Sequence, residues 1–276
     1  SVLILAATPI GNLSDASPRL VEHLVSSKFI AAEDTRSLLK LANALGIKLN
    51  ARLFSLHEHN EIERIEQILE IAGEDDVLVV SDAGMPTVSD PGFLLVRAAV
   101  KADVAVTIIP GPSAVLSALA VSGLPTDRFT FEGFLPRKTG DRKKAFESLA
   151  REARTMVFFE SPHRILESLE DAAAVLGPDR QASVSRELTK KFEHTQRGTL
   201  PELAEWAKSE PKGEMVLVIA GAEAVEVKSE DLVQQVLALI EDGVGLKQAV
   251  AEIAGAAGAG KSELYQSVLE ARKALR

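Results

Sequence analysis

The stretch Ser81-Asp-Ala-Gly-Met-Pro-Thr-Val-Ser-Asp-Pro-Gly92 decides which fold this sequence predicts. It follows a short apolar run at Asp76–Ser81, and it contains too many turn-forming residues to be an ordinary connection. Similar short runs alternate with helical patterns over the first half of the chain. This alternation predicts a mostly parallel sheet with helices on its faces, and it places the stretch at the carboxyl end of a strand.

Two further turns of the same kind follow predicted strands. Thr8-Pro-Ile-Gly-Asn-Leu13 comes after Val2–Ala6, and Pro110-Gly-Pro-Ser-Ala114 comes after Val104–Ile109. The carboxyl ends of the strands are where α/β sheets bind their ligands. None of the three turns contains lysine or arginine, so a zwitterionic or cationic ligand fits them better than a phosphate-rich one. Each turn taken alone is also compatible with an ordinary tight turn.

The sequence predicts three regions along the chain. The predicted strands are Val2–Ala6, Phe29–Ala32, Asp76–Ser81, Val104–Ile109, Phe129–Phe134, Thr155–Glu160, Gln181–Arg186, Phe192–Thr199 and Met215–Ala220. The predicted helices include Pro18–Ser26, Ser37–Leu45, Glu61–Ala72, Arg142–Ala153, Arg164–Leu176, Asp231–Ile240, Leu246–Ala254 and Ser262–Leu275. Residues 1–122 are therefore expected to form an α/β domain, residues 123–222 a second α/β domain with a mixed sheet, and residues 229–276 a helical C-terminal domain.

Composition limits the classes of protein to consider. The chain has 276 residues, 46% of them hydrophobic, which suffices for a sizeable core. It lacks cysteine, which excludes disulfides, thiolate metal sites and a cysteine nucleophile. No basic flank precedes the first apolar run, so we expect a cytoplasmic protein and no secretory signal. The uncharged stretch Val104–Leu124 contains Pro110-Gly111-Pro112, which would break a membrane helix, so no membrane association is expected.

Two short motifs resemble a nucleotide site and a metal site but lack the necessary context. Gly255-Ala-Ala-Gly-Ala-Gly-Lys-Ser262 matches the phosphate-loop pattern, yet it follows a predicted helix and has no later strand for a magnesium-binding aspartate. His57-Glu-His59 brings two imidazoles close together, but no third ligand has the spacing of a metal site. We therefore predict neither a phosphate loop nor a bound metal.

A basic segment contrasts with the formal net charge of −9. Between Phe134 and Arg154 there are seven basic residues and three acidic ones. If the protein binds nucleic acid, this is the densest positive charge available to phosphates, and we expect Arg142, Lys143 and Lys144 to contribute. A solvated helix face explains the same charges equally well.

Several segments occur in the order in which one known family carries them. In the first half they are Ala7-Thr-Pro-Ile-Gly-Asn-Leu13, Ala32-Glu-Asp-Thr-Arg36, the turn Ser81–Gly92 and Pro110–Ala114. In the second half they are Phe131-Glu-Gly-Phe-Leu-Pro136, Glu160-Ser-Pro-His-Arg164, Arg186-Glu-Leu-Thr-Lys190 and Gly213-Glu-Met-Val216. Together they resemble the signatures of bacterial 16S rRNA 2'-O-ribose (cytidine) methyltransferases of the tetrapyrrole methylase-like superfamily. The resemblance covers residues 2 to about 221 and is less specific in the helical tail.

The resemblance implies 2'-O-methylation of a cytidine ribose in 16S ribosomal RNA, with S-adenosylmethionine (SAM) in a cleft between two domains. It also implies the small ribosomal subunit as partner, and a homodimer. Carried over by position, the cofactor contacts are Pro9, Ile10, Gly11, Asp82, Ala83, Gly84, Met85, Val88, Ser113 and Ala114. Met85 replaces the aspartate of many tetrapyrrole enzymes and the threonine common in the ribosomal family, so a main-chain contact is expected there.

Methyl transfer to a ribose hydroxyl requires in-line alignment and removal of a proton from a weak acid. Asp34 is the first candidate for the base or orienting group, and Arg36 for positioning a phosphate, with Glu160 and Glu187 in reserve. The Asp34–Arg36 pair equally suits bracing of a strand–helix junction. Two alternatives stay open: a small-molecule methylase of the same fold without an RNA-binding surface, and an RNA-binding module without cofactor affinity.

Overall fold

In the computed structural model, five strands from the start of the chain form a parallel sheet. They are β1 (Val2–Ala6), β2 (Phe29–Ala32), β3 (Arg52–Ser55), β4 (Val77–Val80) and β5 (Ala105–Ile109), in the order β3-β2-β4-β1-β5. Between them lie α1 (Pro18–Ser26), α2 (Thr35–Ala44), α3 (Glu61–Glu74) and α4 (Phe93–Lys101). The structure describes residues 1–57, 59–223, 229–257 and 259–274, and the chain divides into two compact units, residues 1–222 and 223–276.

The centre of this sheet explains why one stretch of sequence predicts the fold. All four residues of β4 are buried, and β4 lies beside β1. The connection after β1 leads to β2, on the far side of β4, whereas the connection after β4 leads through α4 to β5, on the far side of β1. Connections that leave two neighbouring strands in opposite directions open a crevice at their carboxyl ends. The predicted α/β class with a mostly parallel first sheet is confirmed.

The sequence did not predict two elements of this region, the strand β3 and the helix α4. The edge strand β3 has only Phe54 buried, so its apolar signal is weak. Helix α4 begins after Gly92, and its first turn is capped by the carboxylate of Glu61, which accepts from Gly92 N at 3.1 Å and Leu95 N at 3.0 Å. The cap comes from a residue about thirty positions earlier, so no local start signal reveals this helix.

The second sheet has mixed strand directions, as predicted. Its strands are β6 (Phe129–Phe134), β7 (Thr155–Glu160), β8 (Gln181–Arg186), β9 (His194–Thr199) and β10 (Met215–Ile219), in the order β6-β7-β10-β8-β9. Only β6 and β7 pair in parallel; the other pairs are antiparallel. The accompanying helices are α5 (Ala114–Ser122), α6 (Thr139–Ser148), α7 (Ile165–Leu176) and α8 (Leu200–Ala207).

Helix α5 joins the two sheets. It starts directly after the turn that follows β5, yet it packs on the second sheet, where Val115, Ala118 and Leu119 share a core with Val216 and Val218. The predicted boundary at residues 122–123 lies at the end of this helix. The turns at the edge of the first sheet are thereby brought against the second sheet within one compact unit.

In its described residues, the second unit contains three helices: α9 (Ser229–Glu241), α10 (Leu246–Ala257) and α11 (Lys261–Ala274). Val236, Ala249 and Val268 are fully buried in its core. The Gly255–Ser262 run extends from the end of α10 into α11, and its residue 258 lies outside the described residues. Glu58 of the His57–His59 motif also lies outside them. None of the helices in the described part of the chain combines the length and apolar character that crossing a bilayer requires.

The basic segment needs one correction. Arg142 was expected to contact phosphates, but its side chain is 0% exposed. Its Nε lies 2.7 Å from Asp171 Oδ2 on α7, and its Nη1 donates to Arg137 O at 3.2 Å. The guanidinium therefore joins α6, α7 and the preceding loop, and it cannot reach an external ligand. Helix α6 also begins earlier than predicted, at Thr139, and ends earlier, at Ser148.

Candidate functional site

The turns after β1, β4 and β5 are hydrogen-bonded to one another at the carboxyl ends of the strands of the first sheet. Thr8 and Gly84 form an antiparallel bridge, with Thr8 N to Gly84 O at 2.9 Å and Gly84 N to Thr8 O at 3.0 Å. Ala7 N donates to Ile109 O at 3.0 Å, which ties the third turn to the first. Main-chain hydrogen bonds thus hold the three glycine- and proline-rich turns in a fixed relation.

Glycine is required at two points where these turns meet. Gly84 has φ of +81°, a left-handed conformation that side chains with a Cβ adopt at a cost, and a Cβ there would lie 3.3 Å from Ile10 Cγ2. A Cβ on Gly111 would lie 2.9 Å from Ala7 Cβ. The absence of side chains at these positions lets the turns approach one another and leaves their backbone open to a ligand.

A cavity of about 540 Å³ lies between these turns and the second sheet. This is within the range of cofactor and small-molecule sites. Its wall includes seven residues that the resemblance assigns to the cofactor: Ile10, Ala83, Gly84, Met85, Val88, Ser113 and Ala114. The other three assigned residues, Pro9, Gly11 and Asp82, lie in the same turns but outside the lining. A Cβ on Gly11 would meet Lys190 Cγ at 2.4 Å, so Gly11 packs against the second sheet's loop.

The opposite wall contains residues that sequence reasoning did not assign to the cofactor. It comprises Phe134, Phe159–Pro162, Glu187, Leu188, Lys190 and Gly213–Val216. Phe134 is 61% exposed and its ring centroid is 5.4 Å from that of Phe159. An exposed aromatic ring on a cavity wall offers a face for stacking. The segment Phe131–Pro136 is the part of the sequence that could have indicated this wall. Its position beside the turns depends on the pairing of β6 with β7.

A lysine between two carboxylates borders this wall. Lys190 Nζ lies 3.0 Å from Glu187 Oε1 and 2.7 Å from Glu214 Oε2, and Glu187 Oε1 also accepts from Glu214 N. The hydrogen bond from Lys190 is the main reason that the pKa of Glu187 is lowered. The charge of Lys190 is therefore held in this ion-pair network.

The structure places Asp34 and Arg36 together at the start of α2, outside the cavity lining. Asp34 caps the helix by accepting from Arg36 N at 2.8 Å, and its carboxylate pairs with the Arg36 guanidinium at 2.8 and 3.1 Å. The hydrogen bonds from Arg36 lower the pKa of Asp34 to about 2. A carboxylate with so low a pKa is a weak proton acceptor, so this geometry favours the bracing role.

Glu160 lines the cavity, but its acceptor positions are occupied. Its side chain is fully buried, pairs with Arg164 Nη2 at 2.7 Å, and accepts from Ser168 Oγ and Ser161 N at the same distance. Removing one partner of such a buried pair leaves the other uncompensated. The arrangement fixes the start of α7 beside the cavity and favours a positioning role for Glu160.

Asp90 is the functional candidate that sequence reasoning missed. It lies near the end of the turn after β4 and lines the cavity between Val88 and the start of α4. Burial raises the pKa of Asp90 to about 7, the carboxylates of Glu33 and Asp82 contribute in the same direction, and a hydrogen bond with Ser81 opposes the shift. Strongly perturbed carboxylates in cavities are frequent at functional sites. The local signal is Ser89-Asp90-Pro91, but the neighbouring carboxylate of Glu33 comes from the bend after β2.

The charges around the cavity favour a ligand that carries positive charge. Among the described lining residues, Lys190 is the only cation, and it is paired with two carboxylates. Asp90, Glu160 and Glu187 also lie in the wall. Within the described ranges, no group of three histidine, aspartate or glutamate side chains is arranged to hold a metal ion.

Comparisons with known proteins give consistent results. The family model of tetrapyrrole (corrin/porphyrin) methylases matches residues 2–204. A ribosomal RNA small subunit methyltransferase I from Mycobacterium tuberculosis is 47% identical over 98% of this chain and 95% of its own length. One from Escherichia coli O157:H7 is 44% identical over 97% and 94%.

Solved structures share the fold at lower identity. The methyltransferase CobJ superposes with a TM-score of 0.60 at 21% identity, covering 80% of this chain and 94% of its own. A uroporphyrin-III C-methyltransferase from Thermus thermophilus, complexed with S-adenyl homocysteine, gives a TM-score of 0.54 at 19% identity, covering 79% and 96%. At these identities the superpositions support the fold alone.

Proposed function

The chain belongs to the tetrapyrrole methylase family, in its ribosomal RNA small subunit methyltransferase I branch, and we propose that it methylates 16S ribosomal RNA at the 2'-hydroxyl of a cytidine. It is a SAM-dependent methyltransferase. The finer elements of the proposal are the ribose position, the cytidine and the assembled small subunit as substrate. An RNA substrate of this kind also implies a cytoplasmic enzyme.

One observation supports the proposal most directly. The three hydrogen-bonded turns and the acidic wall enclose a cavity suited to a cationic cofactor. Gly84 presents bare backbone where a Cβ would crowd Ile10. The described wall holds four carboxylates and one lysine, and this excess of acidic groups favours a sulfonium and an ammonium electrostatically. The volume of about 540 Å³ accommodates a ligand of nucleoside size. The residues present therefore fit SAM.

SAM supplies an activated methyl group when it is bound. The chain's own residues have to hold that group, exclude water and align the acceptor hydroxyl. The backbone of Gly84 and Met85 and the start of α5 at Ser113 would hold the cofactor on one side, and Phe134 with Phe159 would close the other. Asp34 and Arg36 fix the start of α2 at the same sheet edge, where the guanidinium, 84% exposed, is able to contact an RNA phosphate.

Methyl transfer to purified small ribosomal subunits tests the proposal directly. We expect the purified protein and SAM to methylate subunits from a strain that lacks it, and mass mapping to locate the new group on one cytidine ribose. Methylation of a base would reject the 2'-O assignment. Methylation of a tetrapyrrole but not of subunits would favour the small-molecule alternative, and SAM binding by calorimetry separates both enzymes from an RNA-binding module.

The RNA-binding surface is proposed at the exposed cations of the basic segment. Arg137, Lys138 and Lys144 are exposed, and within the described residues none of them forms an ion pair. Changing all three to glutamine should weaken subunit binding and flatten its salt dependence by roughly 0.7–0.9 in slope for each lost phosphate contact. Titrations of subunit binding against salt concentration measure both quantities.

A control with the same change in net charge is available on the helices and loops around the first sheet. Lys40, Lys48 and Lys101 are exposed, and their triple glutamine variant should bind subunits with the wild-type salt slope. If both triple variants lose the same slope, net charge alone is responsible and the basic segment is a solvated helix face.

A homodimer is proposed through apolar side chains that the described chain leaves exposed. Helix α5 has no charged residue, and Leu116 on it is 55% exposed, while the edge strand β5 exposes Ile108. Such surfaces mark protein contacts, and an open strand edge is available for pairing. Leu116→Glu should shift the sedimentation coefficient from dimer to monomer. Leu39→Glu on α2, at a similarly exposed leucine, should not, and a monomeric wild type would reject the proposal.

A further inference from the structure

We propose that Asp90 is the catalytic residue that accepts the proton of the ribose hydroxyl during methyl transfer. The inference rests on the proposed function and assigns a role that neither the motifs nor the family resemblance assigned to this residue.

The other carboxylates that line the cavity are engaged with cations. Glu160 pairs with Arg164, and Glu187 and Glu214 pair with Lys190. Asp34 pairs with Arg36 and lies outside the lining. A carboxylate held by a cation binds a proton weakly, which makes each of these groups a poor base.

Asp90 differs from them in its surroundings. Among the described residues that line the cavity, it is the carboxylate without an ion pair to a cation, and its hydrogen-bond partner is Ser81. The charged groups that face it are the carboxylates of Glu33 and Asp82. Like charges and burial favour the protonated form, and they raise the pKa of Asp90 to about 7, which suits proton transfer near neutral pH.

The loop around Asp90 holds the carboxylate in a fixed position. Thr87, Ser89 and Gly92 all have positive φ values, of +73°, +62° and +115°. Glu61 fixes the end of this loop through its hydrogen bonds to Gly92 N and Leu95 N. Non-glycine residues in left-handed conformations persist only where the surrounding structure enforces them, and they concentrate at functional sites.

The proposed step is balanced in atoms and electrons. The ribose oxygen forms a bond to the methyl carbon while the bond from that carbon to sulfur breaks, and the sulfur keeps the electron pair as a neutral thioether. The hydroxyl proton passes to the Asp90 carboxylate as the new bond forms and is released to solvent after the product leaves. A cationic cofactor bound in this cavity would favour the ionised form of Asp90, which is the form able to accept the proton.

The test compares Asp90→Asn with Asp103→Asn, which makes the same charge change. Asp103 is exposed and precedes β5, so it lies at the amino-terminal ends of the strands, away from the cavity. With small subunits as substrate, we expect Asp90→Asn to lower kcat by about 10²–10⁴, as for loss of a general base, with KM for the subunits unchanged. In the wild type, kcat should rise with pH through the Asp90 pKa and level off above it. This rise should disappear in Asp90→Asn, persist in Asp103→Asn, and partly return in Asp90→Glu.

Two results would overturn the proposal. One is a kcat and a pH profile of Asp90→Asn that match those of the wild type. The other is a parallel loss of SAM affinity and activity in calorimetry and kinetics, because it would make Asp90 a cofactor-binding group. Failure of the proposed function is distinguishable, since the wild-type protein itself would then bind SAM without methylating subunits, or would not bind SAM.

Discussion

Gly84→Arg is expected to abolish SAM binding in a protein that remains folded. Gly84 faces the cavity, pairs with Thr8 through two main-chain hydrogen bonds, and lies where a Cβ would be 3.3 Å from Ile10 Cγ2. An arginine would fill the cofactor volume and place a cation next to a cationic ligand. We expect the affinity to fall by at least about 100-fold, which corresponds to about 2.8 kcal/mol. Isothermal titration calorimetry with SAM measures it.

The control for this variant separates backbone strain from loss of the site. Gly46 also has a positive φ, +68°, but a Cβ there would meet nothing within 4 Å. Gly46→Arg therefore introduces the same residue in a similar left-handed conformation at a distance from the cavity, and it should keep wild-type SAM affinity. Wild-type affinity in folded Gly84→Arg would remove the three turns from the proposed cofactor site.

Arg142→Ala is expected to lower the free energy of unfolding by about 3–5 kcal/mol, as for removal of one partner from a buried ion pair. The Arg142 guanidinium is fully buried and joins Asp171 on α7, Glu167 and the carbonyls before α6. Its loss leaves the largely buried Asp171 carboxylate with only the longer contact to Lys143, at 3.5 Å. Chemical denaturation followed by circular dichroism measures the change.

Lys144→Ala provides the comparison, because Lys144 is exposed two residues further along the same helix. A surface substitution of this kind should change the free energy of unfolding by no more than about 0.5 kcal/mol. The double variant Arg142→Met with Asp171→Leu should recover part of the lost stability, since replacing both ions by apolar groups removes the uncompensated charge. Equal unfolding midpoints for Arg142→Ala and Lys144→Ala would contradict the role of the buried pair.

Local sequence patterns predict some residues of the candidate site and do not reveal others. The sequence predicts the three turns, because glycine, proline and small polar residues after apolar runs are typical of turns. In the structure, hydrogen bonds of Thr8, Gly84 and Ile109 join these turns. The sequence does not reveal Asp90, because its environment depends on Glu33, which follows β2 and is far from Asp90 in the chain. The sequence predicts an exposed cation at Arg142, because the burial of this side chain depends on Asp171, about thirty residues later.

The sequence by itself determined the alternation of strands and helices, the mixed second sheet and the three turns, because hydrophobic periodicity and turn chemistry are local properties. Only the tertiary structure decided which charged side chains are free of ion pairs and therefore able to contact a ligand or accept a proton. Arg142 is paired with Asp171 and Lys190 with Glu214, both distant in the chain, while Asp90 faces carboxylates and a hydroxyl. The physical reason is that burial and Coulomb interactions depend on distances between residues far apart in the chain, and local patterns do not encode these distances.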